Sequence, residues 1–123
     1  GLDESFLLYG EDLDLCRRLT AGGWEIRYCA DARLSHAAGG SSRHSPAEAG
    51  ILAILSMARY LRIHHGPAYA GLYRTAMRGL SAAKMCLFAL AGWLAPSPGA
   101  RQRSAEKARL HRRLLAALCQ RPV

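Results

Sequence analysis

Glu11 and Asp12 stand side by side just after Gly10, and Asp14 follows two positions on, in the stretch YGEDLDLCRRLTAGG from Tyr9 to Gly23. Carboxylates at this spacing suit two kinds of work. One is structural. In the first turn of a helix, acids meet unpaired backbone N–H groups and the positive end of the dipole, which favours the ionised form by roughly 0.3 to 1 kcal/mol. Asp12 or Asp14 then serves as a cap. The other is chemical: a cap needs one acceptor, so two adjacent carboxylates at a glycine-preceded bend leave at least one to face a cleft and act as a base. Both readings stay open at this point.

Local pattern supplies the elements that would position these acids. Leu15, Cys16 and Leu19 recur at helical spacing after the acids, and Gly22 with Gly23 stops the segment. Arg17 and Arg18 fall on its polar face, for which solvation is the default. Phe6, Leu7 and Leu8 precede the bend as an apolar floor. After the glycines, WEIRYC alternates Trp24, Ile26 and Tyr28 against Glu25, Arg27 and Cys29, the period of a half-buried strand. In ADARLSH a second extended run puts Ala32, Leu34 and His36 on one face. A histidine there is either a hydrogen-bonded core residue or a ligand. The loop AAGGSSRHSP lets backbone N–H groups approach a phosphate, with Arg43 to neutralise it, and is equally suited to flexible linkage.

FLLYGEDLDLCRRLTAGG, then WEIRYCADARLSH, then GGSS, resembles the second half of a family 2 glycosyltransferase catalytic domain, closest to the rhamnosyltransferase-like and galactofuranosyltransferase-like branch. The match covers roughly residues 1 to 43, about a third of the chain, with looser similarity through RYLRIHHG. The resemblance implies an α/β fold: the C-terminal portion of a GT-A, Rossmann-like domain, here followed by α-helices of membrane-surface type. It implies an inverting enzyme that moves a sugar from a nucleotide-diphosphate donor to a hydroxyl of a glycan or lipid-linked acceptor. Asp12 matches the carboxylate that deprotonates the acceptor. His36 matches a histidine that helps hold a divalent metal, Mn or Mg. Glu11, Tyr9 and Arg43 are the expected substrate-binding residues, Tyr9 either through its hydroxyl on the acceptor or as a ring that merely covers the core.

The family's DxD-type metal and diphosphate motif is missing, and DLD at Asp12 to Asp14 fits its letters only. The chain of 123 residues opens at GLDESF without Met or a Gly-rich nucleotide motif, and it is long enough for one domain but not for a complete enzyme of this type. It is therefore expected to be a C-terminal piece of a longer protein, inactive alone, with most metal contacts supplied by the nucleotide-binding half.

The organisation expected is a catalytic-domain end at 1–45, an amphipathic helical region at 46–96, and a linker with a basic helix at 97–123. Residues 1 to 45 carry seven acids and five Lys or Arg, whereas residues 46 to 123 carry two acids and twelve. Cations spread along aliphatic helices suit an anionic membrane surface better than nucleic acid, because no cluster of exposed aromatics is available to stack bases. Pro46 starts one helix that runs through His64 until Gly66 and Pro67 break it, and a second runs from Ala68 to Ala95. Its charge-free end, Met85 to Ala95, is only eleven residues, well short of the roughly 20 that span a bilayer. The expectation is a helix on the membrane, with Trp93 near the headgroups and arginines snorkelling, or else a hairpin packed on the catalytic core. PSPGARQRS reads as a linker before a last helix capped by Ser104. Four dispersed cysteines, Cys16, Cys29, Cys86 and Cys119, lack metal or disulfide spacing and read as buried small hydrophobes in a reducing compartment, with no disulfide-linked partner. These features give a peripheral protein at the cytoplasmic, inner face of the cell membrane. The competing reading is a basic helical membrane-surface or interaction module without catalytic activity, in which the acids only cap a helix.

Overall fold

The computed structural model describes residues 1–6, 8–35 and 46–120. Among the described residues the chain forms four helices and no strand: α1 (Glu11–Ala21), α2 (Pro46–His65), α3 (Pro67–Leu94) and α4 (Pro98–Cys119). This corrects the expected α/β, Rossmann-like frame, for the described fold is all helical. WEIRYC and ADARLS form no ladder. A strand is stable only when its N–H and C=O groups pair with another strand, and no described segment supplies one. Trp24, Ile26, Tyr28 and Leu34 consequently stay exposed, Tyr28 at 93%. The chain divides into two compact units, Gly1–Tyr60 and Leu61–Val123.

In the first unit the packing centres on Phe6, which is buried beneath the bend at Gly10. Gly10 holds φ at 92°, and a Cβ added there would lie 3.2 Å from Phe6 Cδ1 and 3.5 Å from Ser56 Cβ. Only glycine meets both demands, a left-handed backbone and a close approach. From α2, the buried Ser56 donates its hydroxyl to the Leu8 carbonyl at 2.9 Å. The Arg59 guanidinium lies over the Phe6 ring at 5.9 Å. Leu8 is half-buried, in keeping with the apolar floor expected there, and Leu7 lies outside the described residues.

The second unit is an antiparallel hairpin. α3 has 28 residues, rich in Ala and Leu, with its proline at the first position, where the missing N–H costs no hydrogen bond. Pro96 and the three-residue connection 95–97 then turn the chain. Ser97 caps α4 by accepting from the Ala100 amide at 3.3 Å, and Pro98 follows at the first helical position. The cap therefore lies seven residues before the expected Ser104, and Ser104 instead faces α3, its Cβ 3.3 Å from where a Gly92 Cβ would be. Ala70, Ser81, Leu114 and Leu118 form the buried seam. Burying the fully enclosed Leu118 contributes roughly 1.5 to 3 kcal/mol.

The helix ends of this hairpin depend on two arginines. The last carbonyls of a helix have no partner within it. Arg74 Nη2 donates to the Leu118 carbonyl and, at 2.6 Å, to that of Gln120, while Arg78 Nη2 donates to Leu118 at 2.6 Å. These side chains do not snorkel toward a membrane as expected. They close the C-terminus of α4.

Candidate functional site

The acids sit where a backbone bend puts them. Tyr9 adopts φ 64°, the left-handed region that a bulky L-residue rarely enters, and Gly10 continues at 92°. Such conformations cost of order 1 to 3 kcal/mol and persist where surrounding structure imposes them, most often at functional sites. Here Phe6, Ser56 and the Leu8 carbonyl impose them from below. The bend turns the chain into α1 with Glu11, Asp12 and Asp14 in its first turn.

The three acids have three different environments. Asp14 is 1% exposed and its Oδ2 accepts from Arg18 Nε at 2.8 Å, one helical turn on. Arg18 Nη2 also donates to the Gly1 carbonyl at 2.8 Å, which ties the first residue to α1. Asp14 is an internal brace and Arg18 is its partner. The spacing of four between them is a recognised signal of such a pair, present in the sequence.

Asp12, by contrast, is exposed at the second position of α1. Its Oδ1 accepts from the Leu13 amide at 2.8 Å, one of the N–H groups left over in the first turn. Among the described residues its second oxygen has no partner. Neither Asp12 nor Asp14 is the N-cap residue, a position Gly10 fills with no side-chain bond. Glu11 is half-buried, and its Oε2 is buried without a hydrogen-bond partner among the described residues. Tyr9 is 51% exposed.

Tyr9, Glu11 and Asp12 are therefore consecutive around one bend, apart from Gly10. His36 and Arg43, the expected metal ligand and phosphate partner, lie outside the described residues. No group of three or more His, Cys, Asp or Glu able to hold a metal converges among the described residues. Asp3 sits just before this region, and its carboxyl is held below the usual carboxylate range by the Ser5 hydroxyl and then the Ser5 amide, which donates to Oδ1 at 2.9 Å.

Elsewhere, all four cysteines are free and exposed, not buried as expected. Phe88 stacks on His111 with ring centroids 5.8 Å apart and planes 14° from parallel, and Lys107 Nζ lies 5.3 Å from the centroid of the Phe88 ring. Burial first, then the Lys84 charge, hold His111 below the ordinary imidazole range. Burial raises the Tyr73 hydroxyl above its ordinary value. None of these groups joins the acids of α1. Among the described residues no helix is long and apolar enough to cross a membrane. No family model, curated protein or solved structure matches the chain.

Proposed function

We propose that this chain is the acceptor-activating piece of a longer inverting glycosyltransferase, with Asp12 as general base, acting on a nucleotide-diphosphate sugar and a hydroxyl of a glycan or lipid-linked acceptor. The observation that supports it is the split between the acids: Asp14 is buried on Arg18, while Asp12 stands exposed with one oxygen steadied by the Leu13 amide and the other open. The proposal rests on this bend and on the YGEDLDLCRRLTAGG motif, not on the fold.

In this mechanism the acceptor O–H donates to the open Asp12 oxygen. The acceptor oxygen attacks the anomeric carbon from the side opposite the diphosphate, the bond from that carbon to the diphosphate oxygen breaks with its electron pair, and configuration inverts. The proton ends on Asp12. A carboxylate at a helix start is favoured in its ionised form, which keeps it ready to accept but lowers its basicity, so the proton moves late, as the acceptor oxygen gives up charge to the sugar. Tyr9 and Glu11, flanking Asp12 on the same bend, orient the acceptor by hydrogen bonds. Arg43 is assigned to the donor diphosphate from its place at the basic end of the AAGGSSRHSP loop, and His36 to a divalent metal by resemblance. Transfer to a lipid-linked acceptor makes this a peripheral protein of the inner face of the cell membrane.

The test is made in the parent protein that carries this chain. A panel of nucleotide sugars is screened for nucleoside diphosphate release, and Asp12→Asn is compared with wild type. A positioned general base is worth roughly 10² to 10⁴ in rate, so turnover falls at least a hundredfold while donor affinity, measured by titration, stays unchanged. Retention of most turnover removes Asp12 from the chemistry.

A further inference from the structure

We propose that the outer face of α3 docks on an anionic phospholipid bilayer. The inference is independent of the role given to Asp12.

The helix carries a second apolar stripe that its partner does not cover. From Ala76 the positions Leu80, Ala83, Leu87, Leu90 and Leu94 follow at alternating steps of four and three, all exposed, and Leu87 and Leu94 are 60% and 64% accessible. No charged residue falls on this stripe. Two of the three cations of α3, Arg74 and Arg78, are turned onto the end of α4. Nineteen residues at 1.5 Å each and a helix about 10 Å wide give a strip of roughly 300 Å². That is the scale at which an exposed apolar patch marks an interaction site.

Charge and area select the partner. A stable protein interface needs about 800 Å² per side, more than twice this strip. Leu61–Val123 also carries eleven Lys or Arg against one acid, Glu106, so a second copy is repelled and an anionic surface attracted. Lipid requires no shape match, and no described helix is able to span it, so α3 lies in the plane of the interface. Trp93 borders the stripe with 78% of its surface open, and tryptophan favours the headgroup level.

The test is co-sedimentation of the full chain with vesicles of equal parts phosphatidylcholine and phosphatidylglycerol, against pure phosphatidylcholine. Trp93 emission is followed in a Trp24→Phe background. Binding at least tenfold tighter to the anionic vesicles, a blue shift of Trp93 and weakening by salt are expected. Leu87→Glu with Leu90→Glu abolishes binding and the blue shift with helicity by circular dichroism unchanged. Asp12→Asn leaves all of this unaltered. Equal affinity for both vesicles, an unshifted Trp93, or self-association abolished by Leu87→Glu in a chain that ignores vesicles would each overturn the proposal.

Discussion

Leu61–Val123 closes on itself: two helices bury Leu114 and Leu118 between them, and arginines of one finish the backbone hydrogen bonds of the other. Gly1–Tyr60 is built differently, with a left-handed bend over Phe6, the short helix α1 of 11 residues, an exposed run from Trp24 to Leu34 whose alternating apolar side chains touch solvent, and most of α2. Helices satisfy their backbone locally, so a hairpin needs only matching faces. Extended segments need a neighbour to pair with. The difference explains why one unit reads as packing and the other as a platform that displays Asp12.

The hairpin half of this comparison breaks most readily at its centre. Leu118→Ala removes a fully enclosed side chain and should cost about 2 to 5 kcal/mol in urea unfolding, with the loss of hydrogen-exchange protection in α3 and α4. The bend in the other unit is tested by Gly10→Ala. A Cβ there meets Phe6 at 3.2 Å in a conformation that only glycine adopts freely, and about 1 to 3 kcal/mol should be lost. A cost below the measurement error would mean that the bend relaxes and does not hold the acids in place.

Asp14→Ala sharpens the contrast between neighbouring carboxylates. Its partner Arg18 is 44% exposed, so no charge is stranded. The cost should be about 1 to 3 kcal/mol, below that of a pair buried on both sides. The smallest effect concerns pH. His111 titrates below its ordinary value in the folded hairpin, so the unfolded chain takes up its proton first as acid is added. Stability from the neutral ring is full above about pH 6.5 and declines as pH falls through and below that value. Thermal melts of the hairpin should show this decline, and His111→Phe should flatten it.

Much of the helical part was legible because its signals are local. Pro46, Pro67 and the Gly66 break delimit α2 and α3. The start of α4 was misread because the Ser97–Pro98 cap signal lies inside a stretch whose proline, glycine and serine content also suits a linker. The strands expected in WEIRYC and in the described residues ADARLS did not form for a non-local reason, the lack of a described partner. Composition left Arg74 and Arg78 as membrane-facing cations, since nothing in their own neighbourhood points to the Leu118 carbonyl some forty residues away. Within the candidate site, the sequence put Glu11, Asp12 and Asp14 in one turn but did not separate an exposed acid from a buried one. The four-residue step from Asp14 to Arg18 was the available clue.

The assignment of roles within α1 is tested most directly by measuring turnover and melting temperature together for Asp12→Asn and Asp14→Asn in the parent protein. Asp12→Asn should lose at least a hundredfold in nucleoside diphosphate release and melt like wild type, whereas Asp14→Asn should melt lower and, while folded, keep most of its turnover. The reverse pattern, or full activity in Asp12→Asn, would contradict the role of Asp12 as the base.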